Sequence, residues 1–454
     1  MATTKNSGSV GAVLIAGLLA LLLFSGGGAT TAPTPTTVPP RPTTTVTATT
    51  SPTTVGTTIP PTESLQSKRF FPESASWNQP VKNLGINTDL TAKYASTLFN
   101  YAGAGGWPDI PNPGRVKYDP TTRGNYNLAL GDYSVPIYDV ADATTFIRVF
   151  QSVDTQRLGI AFEGLKIGDL MPWNPSWKLG PGNDGIAAIV NFQTGENWGL
   201  YRPAGSRLPY QCFDFFGPNG QAGFNINDPT HTCWGGVSRD VDLFTTTKNQ
   251  AGRGAGFPKL ATLTRAVEVE SGAIRHALEL TIFNTMFGTP CQVNSAGAPG
   301  AGSTCSFYLP PATRVEHLGA PHTNGCGTNN IPDTVASREK TVPSGIRFRV
   351  NITDQEINSW LDSRKFTGSL RSTARIFAVA LRDYGFVAGA ETGCNQPLIE
   401  TDGFQNPKTA AIWKKLGMSN TGFDQDSDGN PDFPQGDLLY GLITLERLEV
   451  VNPA

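Results

Sequence analysis

Charge is scarce in this chain. Only 16% of its 454 residues are Asp, Glu, Lys or Arg, where soluble domains carry roughly 25%. The 35 Lys and Arg nearly balance the 37 Asp and Glu, for a net charge of −2. Without a long basic run the sequence lacks the electrostatic footprint of a nucleic-acid binder, so nucleic acid is not an expected partner. Histidine is rarer still, with four in all. No CxxC or CxxCH occurs, which argues against a zinc ribbon, a thioredoxin-type redox site and c-type haem attachment. There is no G-x-S-x-G nucleophile motif, no P-loop and no dinucleotide fingerprint in a strand–helix context. No apolar run reaches the roughly 20 residues of a membrane span.

Turn formers, in contrast, are abundant. There are 50 Gly and 35 Pro, about 11% and 8% of the chain against averages near 7% and 5%. That mix disfavours long helical bundles and favours short strands joined by turns. At the N-terminus Lys5 precedes a small or apolar run from Val10 to Phe24, followed by Ser25-Gly26-Gly27-Gly28-Ala29. This is the pattern of a secretory signal peptide over residues 1–29, cleaved after Ala29 or kept as an anchor. A membrane association is expected only if the segment is retained. Residues 30–62 hold 16 Thr and 8 Pro, too little apolar surface to offset the entropy of ordering. Residues 30–68 therefore read as a stalk, an O-glycosylated spacer or a passive linker. The expected localisation is extracellular, secreted or attached to a cell surface.

The six cysteines, Cys212, Cys233, Cys291, Cys305, Cys326 and Cys394, agree with an oxidising compartment. Six allow fifteen pairings. Sequence proximity favours Cys212–Cys233 and Cys291–Cys305, leaving Cys326–Cys394.

Residues 69–454 show no repeat and no second linker, and read as one large domain. Strand-like segments, rich in β-branched and aromatic residues, include Tyr133–Val140, Thr145–Phe150, Gly185–Phe192, Trp198–Tyr201, Ala273–Phe283, Ser306–Leu309, Gly345–Asn351 and Leu442–Val451. Gln193 to Asn197 reads as a hairpin turn. Helices are expected over Asp89–Tyr101, over Asp354–Leu361 behind a Thr353-x-x-Glu356 capping box, over Ser369–Tyr384 with Gly385 as its stop, and over Pro407–Leu416. The expected fold is mainly β with accessory helices, a β-sandwich or jelly-roll-like single domain.

The ordered set Phe71-Pro-Glu-Ser-Ala-Ser-Trp-Asn-Gln-Pro80, Tyr133-Ser-Val-Pro-Ile-Tyr138, the Asp184-led strand with its Thr-Gly turn, Ile274-Arg-His-Ala-Leu278, Leu309-Pro-Pro-Ala-Thr313, Gly345-Ile-Arg-Phe-Arg349 and Ala380-Leu-Arg-Asp-Tyr-Gly385 resembles a family of large secreted proteins of actinobacteria and some fungi. Together these motifs span nearly all of residues 70–454. The family carries no established activity, so the resemblance implies export rather than a reaction. The chain departs from it at Gly185, where relatives often have His after the aspartate, and at Glu391-Thr392-Gly393, where they often have Asp-Asn-Gly.

Several constellations bear on chemistry. His276 sits in an alternating segment on the side of Ile274, Leu278 and Leu280, and is expected to be at least partly buried. It is either a general acid or base facing a cleft or a core histidine bonded to a neighbour. Arg347 and Arg349 share one strand face, where two guanidinium groups suit a carboxylate or sulfate, or else lie along a solvated face with packed stems. If Tyr384, His276 and one Arg converge, the set resembles that of a polysaccharide lyase, with the Arg neutralising a uronate while Tyr or His removes the α proton. Glycoside hydrolysis would need two carboxylates roughly 5–10 Å apart, for which Asp184, Glu279 and Glu391 are candidates that no spacing selects. Trp77, Trp107, Trp173, Trp177, Trp198 and Trp234 lie near Gly, Pro and Asn, to stack on pyranose rings or to pin loops.

The sharpest local motif is Asp424-Gln-Asp426-Ser-Asp428-Gly429-Asn430-Pro-Asp432. Oxygen donors from Asp424, Asp426, Asp428, Asn430 and Asp432 with Gly at the sixth position suit Ca²⁺ in a structural role, and the alternative is a solvated acidic turn. Two functions follow. One is an exported carbohydrate-active protein that binds, and as a lyase or glycoside hydrolase cleaves, an extracellular polysaccharide or cell-wall glycan. The other is a non-catalytic adhesion or cell-envelope protein. Calorimetric titration with Ca²⁺ should give binding heat for the wild type and none for Asp426→Ala; a wild type without heat would leave the loop a solvated turn.

Overall fold

The structure is a computed structural model. It describes residues 68–453 apart from 103–125, 152–163, 183, 205–222, 226, 248–253, 283–284, 292–304, 317–321, 324–328, 332–333, 392–396, 420–421, 424–432 and 435–437. The signal segment 1–29, nearly all of the stalk and the acidic loop 424–432 lie outside the described residues. Among the described residues no helix is long and apolar enough to cross a membrane.

The strands are β1 (Asn127–Ala129), β2 (Ile137–Asp139), β3 (Thr145–Gln151), β4 (Leu170–Trp173), β5 (Ala187–Val190), β6 (Asn197–Ala204), β7 (His231–Asp240), β8 (Leu278–Ile282), β9 (His322–Thr323), β10 (Asn329–Ile331), β11 (Arg347–Val350), β12 (Phe386–Glu391), β13 (Leu398–Glu400), β14 (Gly422–Phe423), β15 (Phe433–Pro434) and β16 (Leu448–Val450). They form two six-stranded sheets, β1-β13-β8-β12-β11-β16 and β2-β5-β6-β7-β3-β4, and two short ribbons. Both large sheets are mixed: β1–β13, β8–β12, β2–β5 and β3–β7 pair in parallel, and the other neighbours pair antiparallel. A jelly roll expected from the turn-rich sequence would be antiparallel throughout. Parallel pairs require crossovers, which helices and long loops provide here.

The first sheet is a core layer. Every residue of β8 is buried, because each face meets a different cluster. Leu278, Leu280 and Ile282 point into a large core with Phe348, Phe377, Leu381 and Trp360, while Ala277 and Val387 meet Phe257 and Ala312. The helices are α1 (Thr88–Thr97), α2 (Ala266–Glu270), α3 (Val335–Arg338), α4 (Asp354–Ser363), α5 (Gly368–Asp383) and α6 (Pro407–Lys415), and all but α3 bury residues in the large core. In α4 the expected capping box forms: the Thr353 hydroxyl accepts the Glu356 N–H at 3.2 Å, and the Glu356 carboxylate accepts the Thr353 N–H at 2.8 Å. α5 buries Thr373, Ala374, Phe377, Ala378, Ala380 and Leu381 at helical spacing. α6 begins with Pro407, and the Asn406 side chain accepts the Lys408 N–H.

The second sheet separates two smaller clusters. Along β5, Ala188 and Val190 face Phe70, Phe71, Trp77 and Leu260, and Ala187 and Ile189 face Met171, Trp198, Trp234 and Val237. This is period-two alternation with both faces covered. The hairpin from β5 to β6 turns at Gly195, φ 87°, with the Asn191 side chain accepting from Gln193 and Thr194 N–H.

Several expected strands are shorter than their sequence patterns. Tyr133–Val140 yields only β2. Ala273–Phe283 yields β8 from Leu278 onward, and Ser306–Leu309 yields isolated bridges at Ser306 and Tyr308. Backbone groups there bond to single neighbours rather than ladders. Val135 N–H, for example, donates to Thr401 O at 2.9 Å and joins the segment before β2 to the first sheet.

Gly385 ends α5 with φ 71° and starts β12 at once. A Cβ there would run into the Phe348 carbonyl on the adjacent strand. Gly385→Ala is therefore expected to cost about 3 kcal/mol, from a left-handed backbone plus overpacking, measured by urea denaturation. A loss within about 0.5 kcal/mol would contradict this contact.

Candidate functional site

The residues Arg69 to Pro80 form a strap that crosses both sheets. Its 3₁₀ turn, Ser76–Asn78, buries Trp77. Asn78 explains the turn's shape, since its side-chain amide donates to the carbonyls of Phe70, Phe71 and Pro72 at 2.9–3.1 Å. Phe71 N–H donates to Leu243 O beside the second sheet, and Ala277 N–H donates to Trp77 O beside the first.

Arg347, on β11, completes this strap. Its guanidinium donates to Ser76 O at 3.0 Å, to Gln79 O at 2.7 Å and, from two nitrogens, to Tyr384 O at 2.8 and 2.5 Å. Burial lowers it to about 10, with Tyr384 acting the other way, so it remains a cation at neutral pH. Its donors are directed at backbone. The concavity bordered by Ser76, Trp77, Leu309, Gly345, Arg347 and Asn452 has a volume of about 10 Å³, room for roughly one water and far below a ligand pocket.

His276 belongs to a different cluster. It is 5% exposed, as its side of the sequence pattern suggests, and sits just before β8. Its Nδ1 lies 2.8 Å from Ala277 O and its Nε2 lies 3.2 Å from Glu268 Oε2. A carbonyl and an ionised carboxylate only accept, so the ring faces an acceptor at each nitrogen. Glu268 in α2 is 8% exposed. Burial works to raise its carboxyl, yet the Arg265 and His276 cations and their hydrogen bonds hold it well below the usual carboxylate range. Arg265, 2% exposed, pairs with Glu268 at 2.7 Å, lies 3.8 Å above the Phe70 ring and donates to Lys68 O. Asp402, just after β13, is 4% exposed. Both its oxygens accept the Ala266 N–H at 3.1 Å, and Oδ1 accepts the Trp413 indole N–H at 2.9 Å. Burial pushes this carboxyl up to about 7, against the pull of Trp413, Ala266 and Arg265, and the nearby Glu268 anion adds to the rise.

The other expected site residues separate. Arg349 pairs with Glu449 on β16 at 2.6 Å. Tyr384 caps the end of α5, its ring half-buried. Glu391 accepts the Thr285 N–H and hydroxyl at 3.0 and 3.2 Å. Arg347 and Tyr384 do meet, but through a backbone carbonyl. Asp424, Asp426, Asp428, Asn430 and Asp432 lie outside the described residues, as do Trp107, Cys212, Cys326 and Cys394. The Cys291–Cys305 disulfide is present, and Cys233 is disulfide-bonded.

The sequence treats its tryptophans alike; the structure sorts them. Trp77, Trp198 and Trp234 are buried, whereas Trp173 and Trp177 are half-buried. Trp177 stacks on Tyr138 (4.7 Å between centroids, 16° between planes) and meets Trp173 edge-on at 5.6 Å; Trp173 in turn meets Trp234 at 5.9 Å. The Tyr138 hydroxyl donates to Lys178 O and accepts the Lys178 N–H, which locks the loop carrying Trp177. Burial raises that phenol to about 12. Asn174 shapes the turn between the two tryptophans: its Oδ1 accepts from Ser176 N–H and hydroxyl, and its amide donates to Asp142 O. Asp142 also pairs with Lys408 of α6 at 2.7 Å. The result is an aromatic ledge rimmed by Asn174, Ser176, Lys178 and the Asp142–Lys408 pair.

The sequence reading missed Arg265, Glu268 and Asp402. The Arg265-x-x-Glu268 spacing was the available signal for the first two, while Asp402 has no local pattern. Compared with known protein families, curated proteins and solved structures, the chain matches none.

Arg347→Lys retains the charge but loses the planar fork that spans three carbonyls. It should lower unfolding stability by about 3 kcal/mol, read by chemical denaturation. A variant as stable as the wild type would show that the strap does not depend on this guanidinium.

Proposed function

We propose that the chain is an exported, surface-presented protein that binds an extracellular glycan on the aromatic ledge of its second sheet. The observation that carries this reading is the pair of half-buried rings Trp173 and Trp177, held rigid from below by the buried Tyr138 and rimmed by polar groups. A pre-organised aromatic surface next to hydrogen-bonding side chains suits pyranose rings, which present apolar C–H faces and equatorial hydroxyls. Little ordering entropy is lost at such a surface on binding. The signal-like N-terminus, the Thr/Pro tract, the cysteine usage and the resemblance to secreted actinobacterial and fungal proteins support an extracellular site of action. A helix-decorated β-sandwich is the fold reading that accompanies it, with Ca²⁺ in the 424–432 loop as a structural ion.

Binding is favoured over cleavage because the expected catalytic groups have other employment. Arg347 holds backbone, His276 is enclosed between Glu268 and Ala277, Arg349 is paired and Glu391 caps Thr285. The rim pairs Asp142 with Lys408 and adds the single cation of Lys178, short of the paired guanidinium groups that suit a uronate carboxylate. This suits neutral glycans better than uronates. The alternative, a purely structural envelope protein, shares the exported features and lacks a role for the ledge.

Affinity electrophoresis against neutral and acidic polysaccharides tests the reading. Retardation in a neutral glycan is expected, with no release of reducing ends and no unsaturated-uronate absorbance. Trp177→Ala should weaken binding at least roughly tenfold, equivalent to about 1.4 kcal/mol, while melting cooperatively. Silence across all glycans would favour the structural role, and product release would restore catalysis.

A further inference from the structure

The aromatic ledge has an angle in it. The planes of Trp173 and Trp177 meet at 76°, with 5.6 Å between ring centroids. Trp173 meets the buried Trp234 almost as steeply, at 70°. Only Tyr138 lies near-parallel to Trp177, at 16°, and it covers one face of that ring. A sugar can reach Trp177 only from the side away from Tyr138. Whichever of the two half-buried rings it stacks on, the other stands steeply to it.

Local structure fixes this angle. Asn174, Pro175 and Ser176 join the two tryptophans in a β-turn, closed by the Trp177 N–H donating to Asn174 O at 2.9 Å. Pro175 at its second position presets φ. Asn174 Oδ1 accepts the Ser176 N–H at 3.0 Å and the Ser176 hydroxyl at 2.8 Å, and its amide ties the turn to Asp142 O. Both tryptophans pack on a buried cluster of the second sheet. Bringing the rings into one plane would unstack Trp177 from Tyr138 or lift Trp173 off Trp234.

We propose that the ledge is a one-residue site: it takes a single pyranose of a hydrated glycan chain, its face on one tryptophan and its edge toward the other, and does not take the flat face of a crystalline polysaccharide. This rests on the glycan-binding reading above and names its ligand class. The slightly positive C–H face of a pyranose is drawn to the negative face of an aromatic ring. Successive residues of a flat ribbon present those faces in one plane, so binding them as a run requires coplanar rings. Trp173 and Trp177 are far from coplanar and close together, so they act on the same sugar. In a crystalline face the sides of each residue are bonded to neighbouring chains; a hydrated chain leaves face and side both accessible, as the angle demands. The polar groups come from the same turn. The exposed Ser176 hydroxyl gives its proton to Asn174 and keeps its lone pairs as acceptors, and the exposed Lys178 next to Trp177 supplies donors.

Tryptophan fluorescence titration of the full chain tests the site. The probes are methyl glycosides of glucose, mannose and galactose and their neutral oligomers of two to six residues. A disaccharide should bind within about twofold of its monosaccharide, the statistical gain of two equivalent residues. Trp173→Ala and Trp177→Ala should each weaken monosaccharide binding at least roughly tenfold. With two separate subsites, one would survive in each variant, and the loss would not exceed about twofold. Suspensions of crystalline cellulose and chitin should not deplete the protein from solution. If either variant fails to melt cooperatively, the wild-type length series and the suspensions decide. A gain of about tenfold or more from one residue to two, an undiminished monosaccharide affinity in either variant, or adsorption to crystalline fibre would each overturn the one-residue site and leave glycan binding standing. No binding of any probe would overturn both.

Discussion

Three backbone carbonyls, those of Ser76, Gln79 and Tyr384, converge on one buried guanidinium. Much of the molecule depends on this arrangement. Turn carbonyls taken from water need a donor, and a cation bonded to several of them is among the strongest arrangements available to a protein interior. By holding Ser76 and Gln79, Arg347 fixes Trp77, whose carbonyl in turn receives the chain just ahead of β8. On the opposite side Asn78 fixes Phe70 and Phe71, which pack on β5 of the second sheet. Both mixed sheets are thus referenced to one turn of three residues.

Local signals in the sequence predicted local structure well. Thr353 with Glu356, Gly385 after a helical stripe, and the Gln193–Asn197 turn each act within a few residues, so the physics that forms them is visible in a short window. Strands failed where partners came from afar. Ser306–Leu309 has strand-like composition, but its neighbours supply only isolated bridges. The 133–140 segment opens in a turn, with Tyr133 at φ 60°, and bonds Pro181 and Thr401 singly before Ile137–Asp139 enter a ladder. Parallel pairing could not be read at all, because two strands of the same composition serve either direction.

The candidate chemistry followed the same division. Alternation around His276 indicated burial, and the histidine is buried. What it meets, Glu268 and through it Arg265, comes from a short helix before the strand; Asp402 lies more than a hundred residues further on. The Arg347 and Arg349 pair shares a strand face as the spacing requires, yet the two side chains do unlike work, one bonding backbone and the other an edge-strand carboxylate. Residue type and period identify a group's reach but not its partner. For the tryptophans the discriminating fact was exposure, which rests on loop closure by Tyr138 and Asn174.

The strap also bears on how the chain reaches this state. The Ser76–Arg347 bond joins residues 271 positions apart, and Gln79–Arg347 joins residues 268 apart. Contacts of such separation pay most of the loop-closure entropy before any reward returns. A ribosome that has issued residues 69–80 has made Asn78, which shapes the turn, but not Arg347, which fixes that turn to the first sheet. The segment must remain unsatisfied until residue 347 emerges, so final assembly of the two sheets is an event of the completed chain. A protein built this way stays open while it is being made, the condition under which a chain can be threaded across a membrane before it folds.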